Sequence, residues 1–515
     1  MLVLTTPRRR AVAPLRRLGA VRDVLVVFAA LCFGTAVLVV SLRMAGPYFP
    51  LAFVVLVSLA GSILVKPIFG VYLTIFLTLV SDGPTIEWYP FALNFSSRQS
   101  ILFLHDSLTI SPIEIFLGLT MLAWFAHVAG AREWRLEGRP VLLPMVAFVF
   151  CLMVGMVWGL GIQGGDTTVA IWELRPLLYM PVMFFLVSNL FTRTVHYIRL
   201  SIVALAAISV QNVLALQHYL GLDPIQAEEL EGLTEHAGSI HYDWLFVLLI
   251  AALTIKHCTS GFRFLVLLAA MPTFVTFVLS QRRAAVVALG AGVLLYFIVL
   301  LVRQRATFLK LFPVTVLAVA GYSVAFWNSS GGVGFGARAI KTVLSPEELS
   351  ERDTNSNIYR LIENYNLVFT IRNNPLFGVG FGQPFDQPVT LPDISFFVFY
   401  EFIPHNSILW IWLKTGYLGF VTLLVIVAFT LRAGTRATLA LPSGNLLAVT
   451  IAGLGYVVMF LVFAFVDIAW DSRSTLFLGA CIALCANVVR LWESEHPDRS
   501  DGTASEHPVP VSTGS

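Results

Sequence analysis

Long apolar segments recur along almost the whole chain, and they constrain its fold more than any other feature. Of its 515 residues, 57% are hydrophobic and only 12% are charged, whereas about 25% of residues in soluble domains are charged. A helix needs about 20 apolar residues to cross the hydrocarbon core of a membrane. The sequence therefore predicts an all-α polytopic membrane protein with about 12 to 14 transmembrane helices, in place of several soluble domains.

The apolar segments define about fourteen candidate spans. They lie at 24–42, 51–65, 68–80, 113–128, 141–160, 177–190, 201–220, 244–255, 264–279, 284–302, 311–327, 407–431, 446–470 and 475–489. If the N-terminus is cytoplasmic and the spans alternate, most Lys and Arg residues from Arg8 to Arg490 fall on one side. The positive-inside rule identifies that side as the cytoplasm, and an even number of spans preserves the segregation.

These predicted spans divide the chain into five regions. They are a basic cytoplasmic N-terminus at 1–23, transmembrane helices 1 to 11 at 24–327, a large extracytoplasmic loop at 328–406, transmembrane helices 12 to 14 at 407–491, and a polar, disordered cytoplasmic tail at 492–515. The large loop is far longer than an ordinary connection, and such loops commonly carry function.

The large loop is predicted to contain short helices. Ser345-Pro346-Glu347-Glu348 has the pattern of a helix start. Apolar residues at helical spacing predict a second helix over 357–371. Its apolar side would pack on the membrane domain or lie at the membrane interface.

Three arginines fall on the outer side, against the charge rule: Arg175 in IWELRPLLY, and Arg282 and Arg283 in LSQRRAAVV. A guanidinium group has a planar set of donors that matches phosphate oxygens, so arginines at one membrane face could bind a diphosphate. Snorkelling or an ion pair, for instance between Arg175 and Glu173, explains each position equally well when it is taken alone.

His405 falls on the same outer side, at the start of the next span, with Asn406 and Ser407 as candidate helix caps. A neutral imidazole at this point could accept a proton as a general base. The alternative is a histidine that only caps the helix. No Asp-x-Asp pair and no cluster with metal-ligand spacing occurs in the sequence, so neither a metal nor another cofactor is predicted.

The segment that starts at His405 resembles a motif of the O-antigen ligase and polymerase superfamily. The motif is His, then Asn, Ser or Gln, nine residues, Gly, two residues, and Gly, Thr or Tyr; His405-Asn406, Gly416 and Gly419 match it in full. Segment 374–382, NPLFGVGFG, is similar to the family's glycine-rich element, and Arg282 occupies the position of its outward arginine. The resemblance is specific over 282–420 and architectural elsewhere.

The resemblance implies a GT-C-like fold and a metal-independent, inverting glycosyltransferase of the bacterial inner membrane, with its active site on the periplasmic face. The implied donor is a glycan on undecaprenyl diphosphate. The implied acceptor is a sugar hydroxyl, on lipid A-core for a ligase or on a second lipid-linked glycan for a repeat-unit polymerase. Membrane lipids surround the protein, and no nucleic-acid partner is implied.

The resemblance also implies roles for individual residues. His405 would deprotonate the acceptor, and Arg282 would stabilise the diphosphate. The expected substrate-binding residues are Arg175, Arg283, Asn406, Tyr365 and Gly380. Two other classes of function stay open: a transporter of lipid-linked glycans, which would place its site nearer the membrane midplane, and a non-catalytic scaffold.

Overall fold

The computed structural model describes residues 48–80, 103–105, 108–110, 112–131, 136–223, 233, 238–329, 332–392 and 399–497. In this part of the chain there are fifteen α-helices. They are α1 (Tyr48–Val65), α2 (Pro67–Val80), α3 (Pro112–Ala131), α4 (Leu142–Val157), α5 (Thr167–Leu190), α6 (Val195–Gly221), α7 (Gly238–Thr254), α8 (Ser260–Ser280), α9 (Arg283–Arg303), α10 (Arg305–Phe326), α11 (Phe335–Leu344), α12 (Glu351–Asn373), α13 (Ser407–Ala440), α14 (Asn445–Val466) and α15 (Ser472–Glu495).

Shorter elements complete the described secondary structure. A π-helical turn, Trp158–Ile162, extends α4, and 3-10 turns lie at Gly332–Gly334 and Pro346–Glu348. Strands β1 (Phe103–His105) and β2 (Leu108–Thr109) pair in an antiparallel hairpin.

Ten helices of the described part are long and apolar enough to cross a membrane, namely α3 to α6, α8 to α10 and α13 to α15. Every predicted span in the described residues overlaps a helix. The predicted N-terminus at 1–23, the first predicted span at 24–42 and residues 498–515 of the predicted tail lie outside the described residues. The prediction of an all-α polytopic membrane protein is confirmed.

The centre of the helical bundle is formed by α14 and α15, which are buried over most of their length. α14 packs against α7, α9 and α13, and α15 packs along α5. α10 lies at the periphery, where Ser323 is its one buried residue among those described. A membrane helix with so many exposed apolar side chains is suited to face lipid.

Buried polar side chains link neighbouring helices inside the bundle. The Asn212 amide of α6 donates to Thr273 at 2.6 Å and accepts from Thr276 at 2.7 Å, both on α8. Asn487 of α15 donates to the Ser188 hydroxyl of α5 at 3.0 Å. Since lipid offers these groups no partner, such hydrogen bonds select which helices pack together.

Helix α13 changes direction at Gly416, whose φ of 68° and ψ of −171° are not helical. The kink separates a first segment at 407–415 from a longer second segment. The N–H of Tyr417 donates to the Pro375 carbonyl at 3.0 Å, so the loop before α13 packs into the kink. A Cβ atom at position 416 would overlap the Leu376 carbonyl oxygen. Glycine is therefore required here both for its backbone conformation and for space.

We expect Gly416→Ala to destabilise the protein by about 2 kcal/mol or more, because alanine would be strained at this φ and would displace the loop. Gly290→Ala is the matched control, since nothing lies within 4 Å of a Cβ atom added to that glycine in α9. The apparent unfolding temperature of both variants in lipid nanodiscs measures the difference. If the two variants unfolded at the same temperature, the kink would not depend on glycine.

Candidate active site

Helix α12, in the large loop, organises the residues around His405. It begins at Glu351, earlier than the predicted 357, because the Ser350 hydroxyl caps it by accepting from the Asp353 N–H at 3.2 Å. Its buried side carries Tyr359 and Glu363. Of the apolar residues that predicted the helix, Ile358, Leu361 and Tyr365 lie on its exposed side. That outward orientation is the one expected of a helix at a membrane interface.

His405 lies directly before α13 and contacts the carboxylate of Glu363 twice. Its backbone N–H donates to Oε2 at 2.9 Å, and its Nδ1 lies 3.2 Å from Oε1. The Glu363 residue is only 1% exposed, while 21% of the His405 side chain remains exposed. A buried carboxylate therefore holds one side of the imidazole, and part of the ring stays accessible.

The two residues after His405 attach this segment to two other helices. Asn406 caps α13, as predicted, by accepting from the Leu409 N–H at 3.0 Å, and its amide donates to Asn364 of α12 at 2.9 Å. The Ser407 hydroxyl donates to the Asp467 carbonyl at 3.1 Å, at the end of α14. Asn406 is buried, and both ends of its side chain are hydrogen-bonded. In this structure it therefore holds the start of α13 against α12.

Tyr359 packs edge-on against the imidazole, with ring centroids 5.5 Å apart. Burial, with a smaller contribution from the negative charge of Glu363, raises the pKa of its hydroxyl well above the usual value of a tyrosine. The hydroxyl therefore stays protonated at physiological pH and can act as a donor beside His405. Among the described residues it has no hydrogen-bond partner.

Arg360 brings a positive charge to this cluster. Its Nη2 lies 3.4 Å from Oδ2 of Asp467, and it is one helical turn from Glu363 on α12. Sequence reasoning missed Arg360, Glu363 and Asp467. The available signals were an acidic residue inside an apolar span, LVFAFVDIAW, and the basic and acidic pair in RLIE of the loop helix.

The structure places the two adjacent arginines at the start of α9. Arg282 is its N-cap residue, with a partly buried side chain. Arg283 donates to Thr342 at 3.0 Å and pairs with Asp353 at 3.3 Å, so it ties α9 to α11 and α12. Asp353 lies about 15 Å from Glu363 along the helix axis, at 1.5 Å per residue. The Arg283 pair is thus about three helical turns away from the residue of α12 that contacts His405.

Arg175 pairs with a different carboxylate from the one proposed from the sequence. Its Nε lies 3.1 Å from Oε1 of Glu114 on α3, and its guanidinium stacks on Trp172 at 5.3 Å from the ring centroid. The alternative pairing with Glu173 is wrong, because Glu173 binds Lys414 instead. Trp172 in turn contacts Phe399 of the large loop, with ring centroids 6.3 Å apart.

Tyr365 and Gly380 are not brought to the imidazole. Tyr365 is 58% exposed, on the outward side of α12. Gly380 lies in the glycine-rich loop, with φ of 86°, where a Cβ atom would overlap the backbone of Gly159. Their roles in substrate binding stay predictions.

The glycine-rich loop is wedged between α4 and the first segment of α13. The Val379 N–H donates to the Leu413 carbonyl at 2.8 Å, and the Phe381 N–H donates to the Gly155 carbonyl at 3.2 Å. Backbone groups buried between helices need protein partners, because no water reaches them there. These hydrogen bonds provide them.

A fully buried ion pair holds the glycine-rich loop in place. Nζ of Lys414 on α13 lies 2.8 Å from Oε1 of Glu173 on α5, and both side chains are 0% exposed. Oε2 of Glu173 accepts from the Gly382 N–H at 2.7 Å, and Nζ also donates to the Gln383 carbonyl. Each charge thus compensates the other, and the pair holds the loop between α5 and α13.

Residues 264–424 match the family model described as O-antigen ligase. The chain carries an O-antigen ligase domain. This domain runs from α8 to the second segment of α13, and it includes Arg360, Glu363, the glycine-rich loop and His405. The match confirms the resemblance inferred from the His405 motif and supports membership of the O-antigen ligase superfamily.

The O-antigen ligase domain indicates a membrane glycosyltransferase of the ligase or polymerase type. A search of curated proteins found no match to the chain. Within the described residues, no group of three or more His, Cys, Asp or Glu side chains is arranged to hold a metal ion.

We expect Lys414→Met to lower the free energy of unfolding by about 3 to 5 kcal/mol, because it leaves Glu173 as an unpaired buried charge. The double variant Glu173→Gln/Lys414→Met removes both charges and should recover much of that loss. Denaturant unfolding in mixed micelles measures both. A single variant as stable as wild type would mean that the pair does not anchor the loop.

Proposed function

We propose that this protein transfers a glycan from undecaprenyl diphosphate to a sugar hydroxyl on the periplasmic face of a bacterial inner membrane, without a metal ion or cofactor. Ligation to lipid A-core is favoured over repeat-unit polymerisation because the His405 motif is complete. The observation that carries the proposal is the geometry of His405. It stands at the start of α13 in the O-antigen ligase domain, held by a buried carboxylate and partly accessible.

In this reaction His405 is the general base. Its imidazole takes the proton of the acceptor hydroxyl while the oxygen of that hydroxyl attacks the anomeric carbon of the donor sugar. The bond between this carbon and the diphosphate oxygen breaks on the opposite face, and its electron pair leaves with the diphosphate. Attack and departure on opposite faces invert the anomeric configuration.

The diphosphate gains negative charge as it leaves, so it needs a nearby positive group. Arg360 is well suited, because it is one turn from Glu363 and its side chain is 28% exposed. Arg282 keeps its proposed role at the start of α9. Arg175 and Arg283 would have to exchange their carboxylate partners for phosphate in order to bind the donor.

We expect His405→Ala to lower kcat by about 10²- to 10⁴-fold, the usual contribution of a general base. The assay uses the full chain in nanodiscs, with undecaprenyl-diphosphate glycan and lipid A-core extracted from the native host lacking this protein. His127→Ala replaces an exposed histidine of α3 and should leave the rate unchanged. Full activity of His405→Ala would show that the histidine only caps or braces α13.

The same variant identifies the product when it is expressed in that host. Long glycans that stay on the lipid carrier without the wild-type protein, and are not released from it by His405→Ala, indicate a ligase. Single repeat units that never lengthen indicate a polymerase. Normal surface glycans without the protein would contradict both activities.

We expect Arg360→Gln to lower kcat/KM by about 10²-fold, because a group that stabilises developing charge is lost. Arg372→Gln removes an exposed arginine from the last turn of the same helix and serves as the control. Equal rates for the two variants, measured with the extracted donor and acceptor, would exclude Arg360 from the stabilisation of the leaving group.

A further inference from the structure

Glu363 makes two contacts with His405, and together they indicate which nitrogen of the imidazole carries the proton. Oε2 accepts from the backbone N–H of His405 and Oε1 contacts Nδ1 of the same residue. An ionised carboxylate can only accept hydrogen bonds. Nδ1 must therefore carry the proton, and in the neutral imidazole the free lone pair is then on Nε2.

The surroundings also restrain the orientation of the ring. The hydrogen bond to the backbone fixes the main chain of His405, the contact at Nδ1 fixes the ring, and the Tyr359 ring packs on it edge-on. The neighbouring bond between Asn364 and Asn406 ties the same two segments together. α12 thus holds both the backbone and the side chain of the proposed base.

We propose that Glu363 is the positioning residue of His405: it holds the imidazole with the proton on Nδ1 and leaves Nε2 to receive the proton of the acceptor hydroxyl. This inference rests on the proposed function. When Nε2 takes that proton the ring becomes an imidazolium, and the carboxylate opposite stabilises the new positive charge. Glu363 itself neither contacts the substrate nor gains a proton in this step.

Replacing Glu363 with glutamine tests this role specifically. It has nearly the shape of glutamate but only one acceptor oxygen, while two donors, the backbone N–H and Nδ1–H, point at the carboxylate. Glu363→Gln can therefore satisfy one of them only, and its amide group faces the other. We expect kcat to fall by about 10²-fold with KM changed by less than about twofold, since the binding groups remain.

Nitrogen-15 spectra of histidine-labelled protein in nanodiscs provide a readout that a purely structural role would not change. A His405→Ala spectrum identifies the signals of His405. The wild-type protein should show a protonated Nδ1 and an unprotonated Nε2, and Glu363→Gln should show the reverse or a mixture. A wild-type Nε2 that already carries the proton would overturn the proposal without any variant.

Two further variants make the result specific. Glu401→Gln removes a loop carboxylate that accepts from the Tyr400 hydroxyl, and it should leave both kcat and the spectrum unchanged. If Glu363→Gln does not fold, Glu363→Asp keeps the charge, and we expect it to retain the proton on Nδ1 with a smaller loss of kcat.

The failures of the two proposals are distinguishable. Loss of activity in His405→Ala together with a fully active Glu363→Gln would reject the positioning role and leave the base in place. Full activity in His405→Ala would reject both.

Discussion

The buried ion pair between Glu173 and Lys414 is the interaction on which the architecture around His405 depends. Two charges with no exposed surface remain in the bundle because each compensates the other and because the glycine-rich loop supplies further hydrogen bonds. Lys414 is near the kinked end of the first segment of α13, and His405 lies just before its other end. The segment is therefore held at one end inside the bundle and at the other by α12.

α12 joins the parts of the candidate site because it turns its polar side toward the protein. Along one helix, Asp353 binds Arg283 of α9, Arg360 binds Asp467 after α14, and Glu363 binds His405 before α13. Its other side exposes apolar residues, among them Ile358, Leu361 and Phe369. A helix that lies against a membrane can bury that side in lipid, so its other side is available for packing against the protein.

Sequence patterns predicted the elements of this structure better than their contacts. The apolar runs located the membrane helices, and regular apolar spacing located α12, although its start was placed too late because the apolar pattern begins after the Ser350 cap. Arg175 was considered with Glu173, its near neighbour in sequence, whereas Glu114 of another helix is its partner. Glu363 was missed because nothing local to it points to His405.

The sequence alone determined the class of the protein, the positions of its apolar helices and the histidine motif, because each of these is a local property of the chain. The length of an apolar run decides whether a helix can cross a membrane, whatever the other helices do. The tertiary structure alone decided which charges meet: Glu173 with Lys414, and Glu363 with His405. Such partners are far apart in sequence, and their distances follow from how the helices pack, which no local pattern records.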